Sequence, residues 1–213
     1  MRRRVGVRAL RVLVATVIGT LFLVAHAASA QQFPALYDVK DVASNDVLNV
    51  RAGPSAQDPI IDRFAPFETN IEVLGTDPSG RWARVHAGEK MGWSSLRYLA
   101  RQTGQNGGLL PERLLCHGTE PFWNLDFQAD HSTVLDRLGA EPLEYEMSPL
   151  AMAHNAPLTH GAIGKGPQGA ITIAVSRQSC NDGMSDLEFG LGVIVIYESA
   201  FGADVLSGCC SLN

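Results

Sequence analysis

Leu48-Asn49-Val50-Arg51-Ala52-Gly53-Pro54-Ser55 places two apolar residues on one side of an extended segment and two polar residues on the other, then stops at Gly and Pro. A period of two that ends on turn residues reads as a short, half-buried strand running into a sharp bend. The same rhythm continues outward at Leu36–Val39, Ile60–Phe64, Ile71–Gly75, Trp82–His86 and Met91–Ser94. Asn45-Asp46, Asp77-Pro78-Ser79-Gly80 and Gly88-Glu89 supply the turns between them. Short strands at intervals of roughly eight to twelve residues predict a small β-barrel.

Gln102 to Gly108 is polar and glycine-rich without apolar periodicity, and marks a boundary. Beyond it Trp123, Leu125 and Phe127 alternate with Asn124, Asp126 and Gln128. Leu143, Tyr145 and Met147 do the same against Glu144 and Glu146, as do Ile171, Ile173 and Val175 against Thr172 and Ala174. Val193 to Tyr197 is continuously apolar and reads as a strand buried on both faces. Ala151 to Gly169, rich in Gly, Pro, His and Asn, reads as a long loop. The fold class is therefore all-β: a small barrel followed by a second, mainly antiparallel β domain.

Location follows from the start of the chain. Five arginines among residues 2–11 precede an apolar run from Val12 to Ala25, and Ala28-Ser29-Ala30 follows as a cleavage pattern. This predicts a secretory signal peptide over residues 1–30. The run is shorter than the roughly 20 residues that span a bilayer as a helix, so no integral membrane segment is expected after cleavage. The leader takes five of the 17 basic residues and none of the 22 acidic ones, which leaves a charge near -10. No Lys or Arg run offsets that field, so nucleic acid is excluded as a partner.

An even number of cysteines in an exported chain reads as two disulfides among Cys116, Cys180, Cys209 and Cys210. Bonding Cys209 to Cys210 would close a strained ring, and in a strand the two side chains point to opposite faces. Cys116 and Cys180 should each take one of the pair, with either assignment open. Each closed loop contributes about 3–4 kcal/mol by loop entropy.

Together with Trp82-Ala83-Arg84-Val85, Gly92-Trp93-Ser94-Ser95 and Tyr98-Leu99, the Leu48–Ser55 block resembles the bacterial SH3-like domain family over residues 36–101. The resemblance implies binding rather than catalysis, since members often target cell-wall peptides or envelope partners. Trp82 is out of phase with Ala83 and Val85 and should face away from the core beside Arg84 and His86. An exposed indole next to a cation suits peptide docking, with Trp93 and Tyr98 bordering the groove. Trp82, Arg84, Trp93 and Tyr98 are the candidate ligand residues.

Gly118-Thr119-Glu120-Pro121-Phe122-Trp123, Cys180-Asn181-Asp182-Gly183-Met184-Ser185-Asp186 and Gly208-Cys209-Cys210 form a second set of blocks. They resemble a family of bacterial exported and lipoprotein-type envelope domains, one to which no established activity attaches. Here Glu188-Phe189-Gly190 lacks that family's aromatic-Pro step. If the disulfides gather these blocks, Glu120, Asp182, Ser185 and Asp186 form a possible second site, a polar pocket or a place for a hard cation. The same residues also serve as turn and capping groups.

The residues imply signal peptide 1–30, SH3-like domain 31–101, linker 102–111 and disulfide-linked β domain 112–213. The expected function is that of a periplasmic or secreted, non-enzymatic binding protein docking to cell-wall peptide or an envelope protein, without cofactor or metal. Two other classes compete with it: a wall hydrolase using Glu120 and Asp182 as acid and base, and a secreted inhibitor or stress-response protein. Cys116-His117, with His131, His154 and His160 elsewhere, lacks the spacing of a metal site, and oxidised cysteines cannot act as nucleophiles.

Overall fold

A computed structural model describes residues 32–199 and 202–212. The expected signal peptide lies outside the described residues. Among those described, no helix is long and apolar enough to cross a membrane.

Seven strands build the first module: β1 (Ala35–Val39), β2 (Leu48–Arg51), β3 (Ile60–Phe64), β4 (Ile71–Thr76), β5 (Trp82–Ala87), β6 (Lys90–Ser95) and β7 (Leu99–Arg101). They form one antiparallel sheet in the order β3-β2-β6-β5-β4-β1-β7. Leu48 and Val50 face inward with Tyr37, Val73, Ala83, Val85 and Leu99, the face that the period-two pattern selects.

The second module begins at β8 (Leu114–Thr119) and continues through β9 (Phe122–Phe127), β10 (Ser132–Arg137), β11 (Leu143–Met147), β12 (Ala151–Ala153), β13 (Ala156–Gly166), β14 (Gly169–Cys180), β15 (Phe189–Ser199) and β16 (Gly202–Ser211). Consecutive antiparallel pairings run from β8 to β11 and from β13 to β16. β16 pairs with β8 and β11 with β13, so eight strands close into a barrel. β12 is an extra strand laid along β13. An eight-stranded barrel has an interior that side chains can just fill. Here Trp123, Leu125, Phe127, Leu135, Tyr145, Ile171, Ile173, Val195 and Tyr197 fill it.

Two expectations are corrected. The stretch 151–169 is not a loop but a hairpin that contributes β12, β13 and the start of β14. Two of its glycines serve the seam where the barrel closes: a Cβ on Gly166 would lie 2.1 Å from the Glu144 carbonyl oxygen, and one on Gly164 2.2 Å from Met147 Sδ. Glycine inside a strand marks such close approach as readily as a turn. Val193 to Tyr197 is likewise not buried on both faces. Val193, Val195 and Tyr197 point into the barrel, whereas Ile194 and Ile196 are 49% and 43% exposed on its outside. A closed barrel offers each strand one interior face only.

Cys116 and Cys210 are direct partners across the β8–β16 ladder and are bridged inside the barrel. Cys180 is bridged to Cys209 on its outer side. Adjacent residues of one strand thus anchor bridges on opposite faces.

The two modules are packed together. Leu36 of β1 belongs to the barrel's core cluster. Arg177 of β14 is buried and donates through Nη1 to the Pro34 carbonyl and through Nη2 to that of Leu109, the latter at 3.0 Å. Glu72, opposite Leu36 in the β1–β4 register, is buried near Arg177. Residues 102–111 are tied down as well, since Gln105 accepts from the Leu36 amide at 2.7 Å and donates to the Leu36 carbonyl at 2.9 Å.

Candidate functional site

Two open clefts hold the candidate residues. The first, about 520 Å³, lies on the seven-stranded module and is lined by Trp82 and Tyr98 with Asp41, Asp46, Arg51 and Ser95. β5 alternates as expected: Ala83 and Val85 are buried, while Trp82, Arg84 and His86 lie on the other face. The Asp77 turn fixes where β5 starts. Its carboxylate accepts from the Trp82 amide at 2.8 Å, the Arg81 amide at 2.9 Å, and both the amide and hydroxyl of Ser79. These bonds, the Ser79 hydroxyl foremost, pull the Asp77 pKa down to about 2.

A carboxylate whose pKa is lowered on folding stabilises the fold above its ordinary value, and that contribution disappears as pH falls through the folded pKa. Asp77→Asn is therefore expected to unfold at lower urea than the parent above pH 4, with the gap closing by pH 2. A gap that stays constant across this range would show that the carboxylate's charge plays no part.

Arg84 and Trp93 do not join Trp82 and Tyr98 in the first cleft. The Arg84 guanidinium donates to Glu188 Oε1 of the second module at 2.7 Å and stands 5.5 Å from the Trp93 ring centroid. His86 Nε2 meets the Glu188 carbonyl at 2.8 Å, and the His86 ring stacks edge-on to Phe189. The segment entering β15 thus covers the Arg84–His86 stretch. A single sequence gives no signal for this, because Glu188 lies 104 positions from Arg84.

The second cleft, about 800 Å³, lies outside the barrel between β8, β14, β15, β16 and the turn at 181–184. Glu120 and Asp182 both line it, with His117, Gln178, Met184, Ile194 and the Cys180–Cys209 bridge. Ser185 sits beneath Asp182, its hydroxyl 3.0 Å from each carboxylate oxygen, and Asp186 does not line the cleft. Asp182 Oδ1 also accepts from the amides of Met184 and Ser185 at 3.0 and 2.9 Å. Those amide bonds are the main reason its pKa is lowered.

His117 Nε2 stands 3.8 Å from Asp182 Oδ2, and its ring packs edge-on to Phe189 at 4.7 Å. Burial lowers the His117 pKa, and the Asp182 charge opposes that shift. From the sequence alone His117 reads only as a thiol or metal partner. Its place in this cleft depends on β8 lying beside β16. Among the described residues, no group of three or more His, Cys, Asp or Glu side chains gathers in a way that could hold a metal ion.

Residues 46–100 match the model of the bacterial SH3 domain family. No curated protein and no solved structure is similar enough to this chain to count as a match. The resemblance drawn for the second-half blocks gains no support from these comparisons. A bacterial SH3 domain is a binding module, often one associated with the cell wall, and together with two disulfides it is compatible with a protein outside the cytoplasm.

Proposed function

We propose that this is a non-enzymatic binding protein of the periplasm or the secreted fraction whose Trp82–Tyr98 cleft docks cell-wall peptide. The observation that carries the reading is the composition of that cleft within the SH3 domain. Two half-buried aromatic side chains stand among Asp41, Asp46 and Arg51, so one opening offers ring faces, two carboxylates and a guanidinium. A short peptide bearing both amines and carboxylates can satisfy all three, and the rings supply rigid contact area at little entropic cost. Arg51 is held in place by its Nη1 bond to the Asp58 carbonyl at 2.7 Å, which orients it before a ligand arrives.

Retention on purified cell-wall sacculi tests this. The full chain is expected to be retained, and Trp82→Ala to lose retention by about tenfold or more, the scale of an aromatic anchor. Asp46→Lys, on an exposed turn, should weaken binding without touching the core. If parent and variants are equally unretained, the reading fails. Capture of one stoichiometric envelope protein instead would redirect it to a protein partner.

One observation favours a second reading. Glu120 and Asp182 share a cleft, as the acid and base of a wall hydrolase would. Muropeptide release that vanishes in Glu120→Gln would establish it, and inactivity on varied walls would retire it.

A further inference from the structure

The two disulfides occupy different environments. Cys116 and Cys210 are 2% and 0% exposed within the barrel core. Cys180 is half-buried, and both Cys180 and Cys209 form part of the wall of the 800 Å³ cleft. Gly183 and Gly208 stand in the same wall, and Cys180 Sγ lies 3.4 Å from the Gly208 carbonyl oxygen. Cys209 is only 1% exposed, so Cys180 Sγ is the end of the bridge an incoming group can reach.

The cleft is also charged on one side. Glu120 and Asp182 line it and no Lys or Arg does, while Asp182 is held ionised by the turn amides. Met184 and Ile194 form an apolar lip, at 67% and 49% exposure. Such a cleft enriches a small cation with an aliphatic body and repels a small anion.

We infer that this cleft is a thiol-exchange site, in which an amine-bearing thiol opens the Cys180–Cys209 bridge while Cys116–Cys210 stays closed. Exchange proceeds by attack of a thiolate on a disulfide sulfur. The incoming thiolate bonds to Cys180 Sγ, the Sγ–Sγ bond breaks, and its electron pair leaves on Cys209, which takes a proton from water. A second thiolate then attacks the mixed disulfide at the small molecule's sulfur and releases the Cys180 thiolate. Overall, two small thiols are oxidised to their disulfide and one protein bridge is reduced to two thiols. Opening it unties the start of the segment whose far end, Glu188 and Phe189, lies against Arg84 and His86. Cys209 and Cys210 face opposite sides of β16, so the freed Cys209 does not pass the exchange inward.

The test treats the oxidised full chain with cysteamine or with 2-mercaptoethanesulfonate at matched thiolate concentration and low salt. Alkylation and peptide mass mapping follow at timed intervals. The label is expected on Cys180 and Cys209 alone, at a rate proportional to thiol concentration. Cysteamine should act at least about threefold faster, and that preference should fall toward one in Glu120→Gln or in 0.5 M salt, as screened charges require. Glu120 is exposed, so its replacement leaves the core intact. Labelling of all four cysteines together, a rate that plateaus with thiol concentration as an unfolding step would, or equal rates for the two thiols would each overturn the inference.

Discussion

Glu72→Gln is expected to stabilise the protein strongly at pH 8 and to leave it nearly unchanged at pH 4. Glu72 is buried between the two modules, and burial pushes its pKa from 4.5 up to about 8, against the lowering effects of the Leu212 backbone and the Arg177 charge. The folded protein therefore keeps this proton across a range in which the unfolded chain releases it. Stability tied to a raised pKa is full below the unfolded value and declines as pH rises to the folded one, here from 4.5 to about 8. At about 1.36 kcal/mol per pKa unit the loss across that window is on the order of 3–5 kcal/mol. Glutamine has no proton to hold, so the variant loses that slope. Arg177, whose pKa burial lowers to about 10, remains charged throughout and keeps its bonds to the Pro34 and Leu109 carbonyls. Urea titrations of parent and variant at pH 4, 6 and 8 read the effect directly. An offset independent of pH would mean that Glu72 is ionised in the folded protein.

The position of Glu72 also bears on how the modules cohere. It shares a cross-strand pair with Leu36, which enters the barrel's core, and it lies near Arg177, which holds Pro34. Unfolding either module would expose part of the other's packing, so the titration of one buried carboxylate should be felt by both. This coupling joins residues more than a hundred positions apart, and such pairing leaves no local pattern to read.

What the sequence does make legible is governed by local period. Leu48 and Val50, Ala83 and Val85, and Trp123, Leu125 and Phe127 each declare a buried face by alternation, and the structure buries each of them. The phase of β5 likewise turns Trp82 from the core, and Trp82 and Tyr98 do share a cleft. Arg84 was equally legible as outward-facing. Its engagement by Glu188 was not, because that contact depends on how the modules dock. Glu120 and Asp182 could be singled out as polar members of separate blocks, but their common cleft arises from the order β8-β16-β15-β14. At 193–197 the apolar run hid an alternation, since Ile194 and Ile196 are apolar yet outward.

The glycines of β13 give the second large effect. Gly166→Ala is expected to cost about 3 kcal/mol, at the upper end of what overpacking does in a well-packed structure. Its added Cβ would sit 2.1 Å from the Glu144 carbonyl oxygen and 3.0 Å from Tyr145 Cδ1. The nearer atom is backbone, so it cannot be relieved by a rotamer change; β11 and β13 must separate at the seam that closes the barrel. Gly75→Ala supplies the contrast, because a Cβ there meets no atom within 4 Å. That change should stay within about 0.5 kcal/mol, as surface substitutions usually do. Chemical denaturation of both variants with the disulfides intact measures the difference. If Gly166 behaved like Gly75, the β11–β13 pairing would not close the barrel in solution, and 151–169 would be the loop that its composition suggests. A large loss confined to Gly166 would instead assign its glycine to the tight approach of two strands, a requirement that composition alone cannot distinguish from that of a turn.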